Sequence, residues 1–129
     1  MIRVLVVDDD PLVLQFVRAT LERAGYRVEA VTSAAEALAS YAAAARDPFR
    51  LVLSDVVMPE ISGVDLARRL WGRDGDARVL FMSGQQVEHL GVDELPRQPA
   101  GLLHKPFRTE GLLRAVRSAI DRGPTATRR

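Results

Sequence analysis

Short apolar runs alternate along the chain with segments of helical periodicity. The runs are "RVLVV" (3–7), "RVEAV" (27–31), "LVLS" (51–54), "RVLFM" (78–82) and "GLLH" (101–104). Four of them are nearly continuous in apolar residues, the pattern of strands covered on both faces. The second is more polar, as an edge strand is. Between them, Pro11 fits a first helical position with Asp10 as its cap, Leu14, Val17 and Leu21 share one face, and Gly25 ends the helix. Ser33 and Glu36 have capping-box spacing and open an alanine-rich helix to about Ala45, before Asp47-Pro48 breaks it. Ser62 and Asp65 start a third helix carrying Leu66 and Leu70, with a turn over Gly72 to Asp76. A fourth helix is expected around Gln86 to Leu95, interrupted by Gly91 and Pro96. A fifth opens at Thr109 with Leu112, Val116 and Ile120 on one stripe.

Five strands alternating with five helices predict an α/β domain, a doubly wound parallel sheet with helices on both faces. Its 129 residues suit one domain, expected over 1–122, with a disordered tail over 123–129. Composition adds exclusions. Net charge is +1, which points to neither nucleic acid nor a membrane surface, and Arg128-Arg129 is too short a basic run to change that. There is no cysteine, so disulfides and thiolate metal sites are excluded. No segment reads as a signal peptide or membrane span, and a cytoplasmic location is the expectation.

The polar residues that end the apolar runs change the picture most. The first run ends in Asp8-Asp9, the third in Asp55, the fourth in Ser83 and the fifth in Lys105. In a parallel sheet these ends share one edge, where such folds bind ligands. Side by side, Asp8, Asp9 and Asp10 repel, and burial makes the repulsion worse, so a cation or a wet edge is required. Clustered carboxylates suit a hard cation with oxygen ligands, Mg²⁺ where a phosphate is also present. A carboxylate can attack phosphorus to give an acyl phosphate, with a metal, a lysine and a hydroxyl neutralising the phosphoryl oxygens.

The motifs "VLVVDDDP", "LVLSDVVMPEISGVDL", "VLFMSG" and "LLHKPF" occur in order over residues 2 to about 122 and resemble the receiver domains of two-component response regulators. The resemblance implies a flavodoxin-like (βα)5 fold with strand order 2-1-3-4-5. It implies Asp55 as phosphoacceptor, Asp9 as a direct Mg²⁺ ligand, Asp8 acting through a coordinated water, and Asp55 with the Val57 backbone carbonyl completing the protein's share of the metal shell. Ser83 matches the switch hydroxyl and Lys105 the phosphoryl-binding lysine, before a Lys105-Pro106 bond that is typically cis in the family and aims the lysine into the site. The implied partner is a histidine kinase or histidine phosphotransfer protein, the implied location cytoplasmic and the state monomeric. The wording is closest to single-domain regulators and to the C-terminal receivers of hybrid histidine kinases. No DNA-binding domain follows, so direct transcriptional output is not expected. One position departs from the pattern: three residues before the lysine, where many receivers carry Tyr or Phe, this chain has Leu102.

Plainer readings stand beside these. Asp10 is a helix cap, Ser83-Gly84 has turn chemistry, His89 and His104 are structural or solvated, and Trp71 and Tyr41 cover helix–sheet packing. Two other functions compete. A phosphatase of the haloacid-dehalogenase type also uses a strand-end Asp; Asp8 and Asp10 have its D-x-D spacing, but Leu12 breaks the pattern. A docking module that is never phosphorylated is the other, and the intact set Asp8, Asp9, Asp55, Ser83 and Lys105 argues against it.

Overall fold

In the computed structural model the described residues are 1–84, 97–122 and 125–126. In chain order they form β1 (Arg3–Val7), α1 (Pro11–Arg23), β2 (Arg27–Val31), α2 (Ala34–Ala43), β3 (Leu51–Asp55), α3 (Gly63–Arg73), β4 (Val79–Ser83), β5 (Arg97–Gln98), β6 (Gly101–His104), α4 (Thr109–Arg122) and β7 (Thr125–Ala126). The main sheet has the order β2-β1-β3-β4-β6, all pairs parallel. This is the doubly wound, flavodoxin-like order expected from the resemblance, with β6 as the fifth strand. The expected helix at Gln86 to Leu95 lies outside the described residues, as do His89, Arg128 and Arg129.

Each face of the sheet carries its own core. On one side Leu5, Val7, Val52, Val79 and Phe81 pack with residues of α2 and α3. On the other, Val4, Val6, Leu51, Leu53, Leu80 and Met82 pack with α1 and α4. Strand residues alternate between the faces, so both halves of each run are apolar, and β1, β3 and β4 are buried almost throughout.

Side-chain caps set where the helices begin. Asp10 accepts from Leu12 N at 2.9 Å, Ser33 from Glu36 N at 3.2 Å and Ser62 from Asp65 N at 3.1 Å. Gly25 follows α1 at φ 98°, the left-handed region that suits glycine.

Some details differ from the sequence reading. Helix α3 runs through Gly72 to Arg73 instead of turning there. Leu70 and Trp71 are buried, and Trp71 Nε1 donates to Ala77 O at 2.7 Å, which outweighs the roughly 1 kcal/mol helix penalty of glycine. Tyr41 packs against the same core as Trp71, as expected, and in addition donates to Asp74 at 2.7 Å; burial together with that contact raises its pKa. Strand β6 is only half-buried, because it is the second edge of the sheet. Strands β5 and β7 form a short antiparallel pair, Arg97 with Ala126 and Gln98 with Thr125, where the sequence reading placed no strand.

Candidate functional site

The carboxyl ends of β1, β3, β4 and β6 meet at one edge, and each delivers a polar residue there. Asp8 follows β1 directly, its N–H still bonded to Val31 O at 3.2 Å. Its carboxylate is fully buried and accepts from Asp10 N at Oδ1, 2.9 Å, and from Lys105 Nζ at Oδ2, 2.8 Å. Asp9 is exposed. Asp55 ends β3, 7% exposed; Val57 N donates to its Oδ1 at 3.4 Å, and Lys105 Nζ lies 3.3 Å from its Oδ2. Asp8, Asp9 and Asp55 each present a carboxylate oxygen within 4.8 Å of the others.

Ser83 ends β4 and is 1% exposed; its carbonyl accepts the N–H of Lys105 at 2.8 Å, which extends the β4–β6 ladder to the lysine. The Lys105-Pro106 bond is cis. Val57, two residues beyond Asp55, is 41% exposed at the mouth of the site. His104 is exposed at the end of β6.

Electrostatics follow from this crowding. Burial raises the Asp55 pKa above the ordinary carboxylate value, and the charge of Asp8 adds to the effect; the attraction of Lys105 and the Val57 N–H oppose it without cancelling it. For Lys105, burial acts against the ammonium, but its contacts with Asp8 and Asp55 outweigh that and raise its pKa. The donor set is all oxygen, from three carboxylates converging at a partly open edge, which fits a hard divalent cation.

Sequence reasoning missed several neighbours of the site. Ser54 donates through Oγ to Asp55 O at 2.9 Å. Gly63, at the start of α3, packs against the Asp55 carbonyl. Glu60 has φ 68°. Leu12, Val13, Phe16, Lys105, Pro106 and Phe107 line an apolar groove of about 380 Å³ beside the lysine. The i, i+4 spacing of Leu12 and Phe16, which falls outside the buried stripe of α1, was the available signal for the groove.

The chain belongs to the receiver family of response regulators: the family model "Response regulator receiver domain" matches residues 4–117. It is 34% identical over 118 residues to the response regulator receiver protein CpdR of Brucella abortus, covering 92% of this chain and 96% of that protein. It is 36% identical over 121 residues to response regulator MprA of Mycobacterium tuberculosis, covering 94% of this chain but only 51% of that protein. Among solved structures, chemotaxis response regulator CheY4 of Vibrio cholerae superposes with a TM-score of 0.80 at 32% identity, over 92% of this chain and 98% of that one. A response regulator receiver domain protein from Clostridium thermocellum gives 0.82 at 26% identity, over 95% and 96%. Receiver domains act in two-component signalling with histidine kinases or phosphotransfer proteins, and are not classical enzymes. Among the described residues no helix is long and apolar enough to cross a membrane.

Proposed function

We propose that this receiver domain accepts a phosphoryl group from a phosphohistidine donor onto Asp55, in a reaction that requires Mg²⁺. The observation that carries this reading is the meeting of Asp55 with Lys105 Nζ at 3.3 Å inside a cluster of three carboxylates. Asp55 Oδ attacks phosphorus, the donor's N–P bond breaks, and its electron pair stays on the imidazole nitrogen. No general base is needed once Asp55 is ionised. Lys105 and Ser83 hold phosphoryl oxygens; Asp8, Asp9, Asp55 and the Val57 carbonyl hold the metal. A bound Mg²⁺ supplies charge neutralisation at phosphorus.

The partner is a histidine kinase or a histidine phosphotransfer protein. Among the described residues the exposed large apolar side chains are Met1, Leu12, Phe16 and Val57. Leu12 and Phe16 line the groove beside Lys105, and Val57 follows Asp55 by two residues, so the apolar surface a protein donor would cover adjoins the phosphorylation site. The domain works as a cytoplasmic monomer over residues 1–122.

Incubation with Mg²⁺ and acetyl phosphate, followed by intact mass measurement, tests the reading. One phosphoryl group on wild type and none on Asp55→Asn is the expected result. Continuous release of phosphate from many esters would favour a haloacid-dehalogenase-type phosphatase, and an unchanged mass would favour a docking module.

A further inference from the structure

The main chain of Asp55 is held by two contacts that the phosphoryl chemistry does not itself call for. The β1–β3 ladder ends at Val7 with Ser54, while the β3–β4 ladder continues to Asp55 with Met82. Val52 N and Val56 N donate to Arg78 O and Met82 O of the β4 side, so alternation turns the Asp55 carbonyl towards β1, beyond the last β1 partner. Buried carbonyls need a donor. Ser54 supplies one through Oγ at 2.9 Å, and Ser54 is completely buried.

Gly63 makes the second contact. Its N–H donates to Val56 O at 2.8 Å, and a Cβ at this position would fall far inside contact with the Asp55 carbonyl oxygen and reach 3.0 Å from Val56 Cα. The first residue of α3 therefore sits flush against the peptide that carries the phosphoacceptor.

We infer that Ser54 and Gly63 are positioning residues for Asp55. They hold its peptide after the ladder on the β1 side has ended, and so fix where its carboxylate points relative to Asp8, Asp9 and Lys105. Displacement by a fraction of an ångström alters both in-line attack and the oxygen cluster offered to a cation. The rate arm of the test rests on the proposed phosphorylation of Asp55; the metal arm does not.

Gly63→Ala is expected to lose stability outright, so Ser54 carries the test. Ser54→Ala and Ser54→Thr are compared with wild type as full chains, after circular dichroism shows that each is folded. The saturating rate of phosphorylation by acetyl phosphate is measured separately from the donor concentration at half-saturation. Mg²⁺ affinity is measured without donor, by amide shifts at Asp8 and Asp9. Ser54→Ala is expected to lower the saturating rate about tenfold at unchanged half-saturation and to weaken Mg²⁺ severalfold, with Ser54→Thr restoring both. A folded Ser54→Ala with wild-type rate and wild-type Mg²⁺ affinity would overturn the inference. Phosphate appearing on a residue other than Asp55 would instead overturn the functional reading and leave the metal arm to decide this one.

Discussion

Lys105 Nζ lies closer to Asp8 than to Asp55, 2.8 Å against 3.3 Å. The ammonium is thus shared between the fully buried Asp8 and the proposed phosphoacceptor Asp55, and it already offsets part of the charge that a divalent cation would neutralise. Removing it leaves Asp8 buried beside Asp9 and Asp55, with the Asp10 N–H still donating to it. Breaking a buried pair costs about 3 kcal/mol or more; with a fifth of the lysine side chain exposed, about 2 kcal/mol is a fairer figure.

Lys105→Ala is therefore expected to melt lower than wild type without metal and to gain more from Mg²⁺, since the cation then meets uncompensated carboxylates. Thermal scans with chelator and with Mg²⁺ decide it. An equal or smaller Mg²⁺ shift in the variant would show that the lysine does not compete for the cluster. Lys105 is the only lysine in the sequence, so a ¹³C-methylated side-chain amine gives one resonance that follows the same competition.

Asp55 gives a pH dependence of known sign. Its native pKa is raised, chiefly by burial and then by Asp8, so the native state binds its proton more tightly than the unfolded chain does. The stability this contributes is complete below the unfolded value of 3.8 and is lost as pH rises through the native value. Asp55→Asn has no such loss. In chelator, the stability of Asp55→Asn relative to wild type should rise from acid to neutral pH, read by urea unfolding at each pH. A difference independent of pH would contradict the burial argument.

Much of this is legible in the sequence. β1, β2 and the strand Gly101–His104 begin and end where their apolar runs do, because continuous aliphatic stretches between breakers leave little choice of boundary. The convergence of Asp8, Asp55, Ser83 and Lys105 was legible because strand ends in a parallel sheet share an edge. What stayed hidden depends on packing between distant segments. Gly72 reads as a turn residue until Trp71 is seen buried with its Nε1 on Ala77 O. Gly63 reads as part of a helix start until the Asp55 carbonyl is seen against it. The half-burial of β6 follows from its place at the edge, which the run "GLLH" does not encode.

Glu60 holds φ 68° in a tight turn where Ile61 N donates to Pro59 O at 2.8 Å. A left-handed residue with a Cβ costs about 1–2 kcal/mol, and glycine gives back about 0.5–1 kcal/mol through the unfolded chain. Glu60→Gly should therefore stabilise by about 0.5 kcal/mol, read as a higher urea midpoint at unchanged slope. A lower midpoint would mean that the glutamate side chain contributes more than its backbone costs.

Leu102 sits opposite the fully buried Phe81 in the β4–β6 register and packs, half-buried, against the core beneath α2 and α3. Many receivers place an aromatic ring here, and its move between exposed and buried positions is tied to a switch hydroxyl, the role proposed for Ser83. A phosphoryl group shifts a conformational equilibrium only by its differential interaction with the two states. Leucine has no hydroxyl and less surface to exchange, so its packing differs little between them. The response to phosphorylation is accordingly expected to stay in the loops after β1, β3, β4 and β6. Mg²⁺ with beryllofluoride stands in for the phosphoryl group, and amide shifts report the extent. Changes confined to those loops, with α4 unaltered, are the expected outcome, and Leu102→Tyr should extend them into α4. Comparable changes across residues 109–122 of wild type, together with a new dimer, would show that the leucine transmits the signal as a ring does.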